Sequence, residues 1–476
     1  ARGLLRAAGV ASFDCPGAVA AAVEQLKIWG RAQAALLRVP DRAAEEAACG
    51  TPADARARAM AVFRAAAVEG RSLLTAPEAA TVLAAYGMMV AETRVAADPA
   101  EAEAAAAEML PAAGALALKI VSRDLSHKSD VGGVVLDLAD PEAVGAAARA
   151  MAARLAETLP AARLDGFALQ AMVRAPFAEE AILGVASDPV FGPAILFGAG
   201  GVAVELREDV AIALPPLDAA LAAELVGRTR IGRLLRGFRG RPAADAGALH
   251  GAIVALSHMV EDAPALVAVD VNPLLVGPTG AVALDARIEF DPAALDVPPP
   301  NPRLAIRPYP AAWSGPVALK GGTYLIRPIL PVDVTLYPDF LARLDDEDIR
   351  MRFMAPRRHF PDEMGLRLTQ LDYDRDMAFV ALTPEGALAG VARMSCDPDR
   401  EAAEYALVVR SDLAGRGIGS ALMRRLIDYA RAEGVKRLEG MILAENRPMR
   451  GLVARLGFTI EPMLEEPGVV MSRLTL

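Results

Sequence analysis

The chain has 476 residues, a formal net charge of −10, and 54% apolar residues. This length predicts two or more hydrophobic cores, and the apolar content excludes a disordered chain. The acidic balance argues against general binding to nucleic acids or to anionic membranes. The three cysteines, Cys15, Cys49 and Cys396, form neither a metal-binding spacing nor a disulfide framework. We therefore expect a cytoplasmic protein without a nucleic-acid or membrane partner.

The first residues carry no initiator Met and open inside a helical pattern. Residues 1–6 lack the long apolar core of a signal peptide. The most apolar later run, residues 189–204, is too short and too rich in Gly and Pro to span a bilayer. We therefore interpret the chain as a fragment, or a processed form, of something longer.

Five segments follow one another along the chain. Residues 1–45 predict a short helix–loop–helix, and residues 46–69 a helical connector. In residues 70–295, strand patterns alternate with helical ones, which predicts an α/β domain. The proline-dense residues 296–318 predict a stiff, extended linker outside any core. Residues 319–476 predict a second, compact α/β domain.

The most informative pattern lies in the last segment. The apolar strand at residues 404–409 leads through a glycine turn at residues 415–420 into an amphipathic helix that Gly434 ends. Backbone N–H groups of such a turn, at a helix N-terminus, bind phosphate oxygens without cationic side chains. Glycines let the backbone approach the phosphates closely. A carboxylate, Glu404, beside this turn predicts group transfer from a phosphate-bearing cofactor.

This order of features, with Asn446 opening a further helix before a Gly-Phe pair, resembles the GNAT acetyltransferases. Their pyrophosphate loop reads Gln/Arg-x-x-Gly-x-Gly/Ala; Gly417 and Gly419 match it, and Ala414 replaces the first residue. The resemblance implies acetyl-CoA, with its pyrophosphate on the backbone amides of the turn. The residues it assigns to the cofactor are Val408, Val409, Gly415, Arg416, Gly417, Ile418, Gly419 and Ser420.

Attack by an amine on a thioester requires a neutral amine, and hence a base. Glu404 is the predicted base, acting directly or through water, and Asn446 is a further catalytic candidate. Many GNAT relatives protonate the departing thiolate with a tyrosine where this chain has Val453. Either no acid is needed, or another residue supplies it. The alternative is that Glu404 is a solvated strand carboxylate and residues 415–419 form only a turn.

The central segment carries a second set of polar residues on strands and loops. A strand-borne lysine offers a point charge to phosphates, and Asn and Asp oxygens on adjacent strands suit Mg²⁺. The ordered set resembles the ATP-grasp domain of NDP-forming acyl-CoA synthetases. By this resemblance, Lys119 binds phosphates of ATP or ADP, Gln170 to Val173 form the adenine hinge, Glu180 belongs to the same nucleotide site, and Asn272 with Asp285 binds Mg²⁺.

His127 lies in the loop that follows Lys119. A neutral imidazole nitrogen is a competent phosphoryl acceptor. In related synthetases a histidine of this loop carries phosphate toward the nucleotide, so the resemblance makes His127 a catalytic candidate. The alternative is a loop histidine that makes ordinary hydrogen bonds.

A synthetase-like region, a proline-rich linker and a GNAT domain, in this order, resemble the bacterial Pat-type protein lysine acetyltransferases. Residues 1–45 resemble the tail of a CoA-ligase subdomain. We therefore predict an α/β protein in which an ATP-grasp domain is followed by a GNAT domain. The resemblance implies acetyl-CoA-dependent Nε-acetylation of a lysine on a protein partner, such as an AMP-forming acyl-CoA synthetase. The sequence leaves open whether the chain forms a homo-oligomer.

Two other functions remain as alternatives. The first is an NDP-forming acyl-CoA synthetase whose GNAT domain regulates it, which requires a CoA-binding domain and a phosphorylated histidine of its own. The second is a binding module whose transferase activity has been lost, which Ala414 and Val453 motivate. A small-molecule amine in place of a protein lysine is a variant of the main prediction.

Overall fold

The computed structural model describes residues 2–37, 42–49, 52, 54–124, 131–201, 209–354 and 362–476. The chain divides into two compact units. One unit contains residues 41–306, and the other contains residues 307–476 together with residues 1–40. Among the described residues, no helix combines the length and the hydropathy that crossing a membrane requires.

Helices and antiparallel strands alternate in residues 41–306. The first two helices, α1 (Arg2–Ala7) and α2 (Pro16–Leu36), belong to the other unit. The helices of this unit are α3 (Arg42–Cys49), α4 (Ala55–Val68), α5 (Ala76–Ala85), α6 (Pro99–Ala113), α7 (Pro141–Thr158), α8 (Ala219–Gly227), α9 (Ile231–Leu235) and α10 (Ala246–Asp262). The strands are β1 (Thr93–Ala96), β2 (Leu116–Val121), β3 (Val134–Leu138), β4 (Gly166–Ala171), β5 (Glu179–Asp188), β6 (Gly192–Ala199), β7 (Val210–Ala213), β8 (Leu266–Gly277), β9 (Gly280–Ala283) and β10 (Ala286–Phe290).

Two antiparallel sheets organise this unit. The first has the order β1-β4-β2-β3, and α6 and α7 pack against it over a core that contains Leu118 and Phe167. Both helices begin at an Asp-Pro pair, in which the Asp98 or Asp140 carboxylate accepts hydrogen bonds from the free N–H groups of the first turn. The second sheet has the order β10-β8-β5-β6-β7, with β9 paired to β8.

The proline-dense connector is partly buried, so the prediction that it lies outside any core is wrong for its first half. Asn301 is 1% exposed and Leu304 is 6% exposed, and Leu304 belongs to the core of residues 41–306. The Asn301 side-chain amide donates to the carbonyl of Val260 at 3.0 Å. Carbonyls in the last turn of a helix lack partners within the helix, so a side-chain donor beside α10 satisfies one of them.

Residues 307–476 form one large sheet with helices on its two faces. The helices are α11 (Tyr337–Ala342), α12 (Asp346–Phe353), α13 (Asp362–Thr369), α14 (Ile418–Ala432) and α15 (Arg447–Arg455). The strands are β11 (Gly315–Leu319), β12 (Gly322–Pro328), β13 (Asp376–Leu382), β14 (Leu388–Cys396), β15 (Ala402–Val409), β16 (Arg437–Leu443), β17 (Thr459–Pro462) and β18 (Val469–Thr475).

The strand order is β11-β12-β13-β14-β15-β16-β18-β17, and every pair is antiparallel except β15 with β16. The two faces of the sheet have separate cores. On one face α14 packs against β13, β14 and β15, with Leu422 and Leu426 fully buried. On the other face Tyr337 and Phe340 of α11 pack against Val391 and other residues of β13 and β14. Strand β15 of the single parallel pair contacts α14 and α12.

Candidate active site

The parallel strands β15 and β16 pair only over their first residues. Ala402, Ala403 and Glu404 face residues 437–439, and the pairing ends there. Beyond this point the two strands enclose a cavity of about 560 Å³. Ligand sites for small molecules have volumes of roughly 300–1,000 Å³. The backbone edge of residues 405–409 that faces away from β14 is therefore free to bind an extended ligand, as an added strand would.

Tyr405 fills the space at the point where the strands separate. A β-carbon on Gly440 of β16 would lie 2.8 Å from the Tyr405 ring, so only glycine allows this approach. The Tyr405 hydroxyl is 2.5 Å from Ser472 Oγ, and Ser472 donates to the Gly440 carbonyl at 2.8 Å. Burial raises the pKa of Tyr405 to about 12. Tyr405 is therefore a structural wedge that stays protonated at neutral pH.

The predicted glycine turn leads directly into α14. Gly415 and Gly417 have φ values of +74° and +93°, which favour glycine. The next glycine, Gly419, packs its α-carbon closely enough that a β-carbon would lie 3.2 Å from the Leu407 side chain. Of the predicted cofactor residues, those that line the cavity are Val408, Val409, Gly415, Gly417, Ile418, Gly419 and Ser420. The Arg416 side chain points instead toward Gly321.

Glu404 lines the cavity and is the last residue of β15 that pairs with β16. Its side chain is exposed, and within the described parts of the chain it makes no hydrogen bond or ion pair. Its register partner Glu439 differs, because Arg437 and Arg473 lie 3.1 Å and 3.6 Å from its carboxylate. Glu404 is therefore the carboxylate of this pair that is available to accept a proton.

Asn446 lines the same cavity and caps α15. Its side-chain oxygen accepts a hydrogen bond from the Met449 N–H at 3.0 Å. This contact gives Asn446 a structural role as an N-cap, and its predicted part in catalysis stays a prediction. Val453, on the same helix, is 0% exposed in the core. No proton donor therefore occupies that position.

Helix α12 forms a further wall of the cavity and is held at two points. The Ser411 hydroxyl donates to the Asp348 carboxylate at 2.5 Å, just before the glycine turn. Arg350 forms an ion pair of 2.6 Å with Glu445, which precedes α15. Because Asp348, Met351 and Arg352 of α12 line the cavity, a shift of this helix would change the width of the site.

In the other unit, Lys119 and Gln170 meet at one backbone carbonyl. Lys119 Nζ and Gln170 Nε2 donate to the Leu284 carbonyl at 2.9 Å and 3.0 Å. With Asp285 they line a cavity of about 30 Å³, which is room for roughly one water molecule. The donors suit a nucleotide phosphate, but the cavity in this conformation is too small for a nucleotide.

The remaining described residues of that prediction lie on or beside β4, β5 and β8. The Asn272 N–H donates to the Asp285 carbonyl at 3.2 Å, which makes these two residues neighbours. Glu180 is exposed on β5, and Val173 is half-buried after β4. In the described ranges, no three His, Cys, Asp or Glu residues cluster as a metal site would require. His127 lies outside the described residues.

A model described as an ATP-grasp domain matches residues 65–290, and one described as the acetyltransferase (GNAT) family matches residues 344–458. The beta subunit of ADP-forming acetate–CoA ligase I of Pyrococcus furiosus is 33% identical over 235 residues, which are 49% of this chain and 99% of the subunit. An acetyltransferase of Pseudomonas aeruginosa is 33% identical over 159 residues, which are 33% of this chain and 86% of that protein.

The chain belongs to the ATP-grasp and GNAT acetyltransferase families. The predicted fold class is thereby confirmed, as is the presence of a GNAT acetyltransferase domain. The crystal structure of the GNAT domain of S. lividans PAT is 28% identical and covers 36% of this chain and all of that domain, with a TM-score of 0.34. The ADP-forming acetate–CoA ligase I of Archaeoglobus fulgidus is 34% identical over 46% of this chain but only 31% of its own length.

The sequence prediction for the GNAT domain omitted Tyr405, Gly440 and Ser472. The available signal was Gly440 itself, because a glycine inside an otherwise apolar strand often marks a close approach by another group. The partner of that glycine was not predictable, since Tyr405 and Ser472 lie on two other strands and meet Gly440 only through the sheet pairing.

The close contact between the Tyr405 ring and Gly440 can be tested by substitution. Gly440→Ala places a β-carbon 2.8 Å from the Tyr405 ring, so we expect a loss of about 1–3 kcal/mol in unfolding free energy. Gly315→Ala is the control, because a β-carbon there meets open space. Urea denaturation of both variants measures the difference. Equal stabilities would contradict the proposed role of Tyr405 as a wedge.

Proposed function

We infer that this protein transfers acetyl groups from acetyl-CoA to the ε-amine of a lysine on a protein partner. Metabolic enzymes such as AMP-forming acyl-CoA synthetases are the targets that the family resemblance favours. The observation that carries the inference is the position of Glu404. It is an unpaired carboxylate that lines the same cavity as the glycine turn, and such a turn at a helix N-terminus suits phosphate oxygens.

The residues that line the cavity have different roles in acetyl transfer. Acetyl-CoA, when bound, supplies an acetyl group activated as a thioester. The edge of residues 405–409 and the amides of residues 415–420 hold and orient it. Glu404 accepts the proton that the amine loses as its nitrogen bonds to the carbonyl carbon and the carbon–sulfur bond breaks. The Val453 side chain has no acidic proton to give to the departing thiolate. The proton that Glu404 has accepted therefore passes to solvent or to this thiolate.

We predict that Glu404→Gln lowers turnover by about 10²–10⁴-fold, because the amide cannot accept the proton. Acetyl-CoA affinity should stay nearly unchanged, since Glu404 does not belong to the phosphate-binding turn. The matched control is Glu439→Gln, which alters the neighbouring carboxylate of the same register pair. Acceptor-dependent release of CoA measures turnover, and calorimetry measures affinity.

Two outcomes would count against the proposal. Unaltered turnover in Glu404→Gln would remove this residue from the mechanism. Binding of acetyl-CoA without transfer to any protein lysine, by the unsubstituted chain, would instead favour a binding module.

We further propose that the ATP-grasp region binds ATP or ADP and thereby regulates the acetyltransferase domain. The similarity to an ADP-forming ligase subunit and the paired donors Lys119 and Gln170 support this proposal. Binding requires the cavity at Leu284 to widen, because its present volume admits only about a water molecule. Asn272 and Asp285 would hold Mg²⁺ together with phosphate oxygens, since oxygen ligands suit this ion.

A titration with ATP and Mg²⁺ tests that role. Lys119→Met should weaken nucleotide binding about 10-fold or more through loss of one charged phosphate contact. Lys320→Met, at an exposed lysine of the other unit, should leave binding unchanged. Equal affinity in Lys119→Met, or no binding by any form, would contradict the proposal. Acid-labile phosphate on His127 after incubation with labelled ATP would instead favour the synthetase alternative.

A further inference from the structure

The hairpin formed by β11 and β12 contacts the glycine turn at two positions. Lys320 and Gly321 form the tip of this hairpin, between the last paired residues of its two strands. A β-carbon on Gly417 would lie 3.6 Å from the Leu319 side chain. A β-carbon on Gly321 would lie 2.7 Å from Nη1 of Arg416. Lys320 therefore lies between two residues that each contact the glycine turn.

Packing and backbone conformation fix this contact. Leu319 packs against the core that contains Leu422 of α14, which holds the end of the hairpin in place. Gly321 has a φ value of +101°, which favours glycine. Two further atoms of Arg416, Cδ and Cζ, lie 3.4 Å and 3.5 Å from the β-carbon position of Gly321. The Arg416 side chain therefore occupies the space that a side chain at the tip would need.

Lys320 and Arg416 place two positive charges beside the turn. Neither side chain makes a hydrogen bond or an ion pair with another described residue. Arg410, which precedes the turn, differs because its guanidinium donates to the Asp412 carboxylate at 3.0 Å and 2.7 Å. Ala414, at the start of the turn, carries no charge. Lys320 and Arg416 can therefore bind an anion without first breaking an ion pair.

The proposed donor carries a phosphate that the glycine turn does not bind. CoA contains a pyrophosphate, which the proposed function places on the amides of residues 415–420, and a separate 3′-phosphate on its adenosine. The side chains of Lys320 and Arg416 lie outside the lining of the cavity next to the turn. Because the adenosine lies beyond the pyrophosphate, we expect it to pass the turn and leave the cavity. A phosphate monoester has a charge of about −1.5 to −2 at neutral pH, so it is a strong acceptor for cationic donors.

We propose that Lys320 and Arg416 bind the 3′-phosphate of acetyl-CoA, so that the enzyme distinguishes CoA from dephospho-CoA. This inference rests on the proposed acetyltransferase function and names two residues that determine its donor specificity. The planar guanidinium of Arg416 can donate two parallel hydrogen bonds to a phosphate, and Lys320 adds a mobile point charge. Together they compensate for Ala414, which stands where GNAT relatives carry Gln or Arg.

Calorimetry with CoA and dephospho-CoA, which lacks only the 3′-phosphate, tests this site without any acetyl transfer. The unsubstituted chain should bind CoA about 10–100-fold more tightly, as expected for a phosphate bound by charged donors. Lys320→Met/Arg416→Met should reduce this ratio to about 1–3, because both charges are lost. Its affinity for dephospho-CoA should stay unchanged, which also shows that the variant is folded. The control Arg424→Met/Lys436→Met removes one arginine and one lysine that are exposed elsewhere, and it should keep the full ratio.

Three outcomes separate this inference from the proposed function. Equal affinities of the unsubstituted chain for CoA and dephospho-CoA would overturn the 3′-phosphate site and leave the acetyltransferase intact. An equal loss of affinity for both ligands in Lys320→Met/Arg416→Met would also overturn it, since the two side chains would then hold the pyrophosphate. The expected ratios without acetyl transfer to any protein lysine would support the site and contradict the proposed function.

Discussion

The contact between the Tyr405 ring and Gly440 determines where β15 and β16 separate. Two parallel strands of similar length would ordinarily pair along their whole length, which would close the site. Here the ring occupies the space behind the last paired residue, and its hydroxyl is bound through Ser472 to the backbone of β16. The cavity, the free edge of β15 and the position of Glu404 all follow from this one separation.

Because side chains alternate along β15, successive residues of this strand face different elements on the two sides of the sheet. Leu407 and Val409 pack toward the glycine turn and α14. Glu404 and Ala406 lie on the opposite face, on the side of α12. Because neighbouring residues of a strand point to opposite faces, β15 presents side chains to both faces of the sheet.

Local patterns predicted the glycine turn and the helix that opens at Asn446, whereas contacts between distant strands were not predictable from the sequence. The glycine turn, the helix after it and the cap at Asn446 are set by residues close together in the chain. Tyr405, Gly440 and Ser472 come from three separate strands and meet only in the fold. The prediction for the proline-dense connector is wrong for a related reason. Proline density predicts stiffness, but it does not show that the Asn301 side chain can donate a hydrogen bond to a carbonyl of α10.

Hydrogen–deuterium exchange with and without acetyl-CoA is the most direct test of the central claim, which is that the donor binds in the gap between β15 and β16. The account predicts slower exchange at the amides of residues 405–409 and 415–420. It predicts no change at residues 402–404, which already pair with β16. Unchanged exchange at both segments, while calorimetry shows that acetyl-CoA is bound, would contradict it.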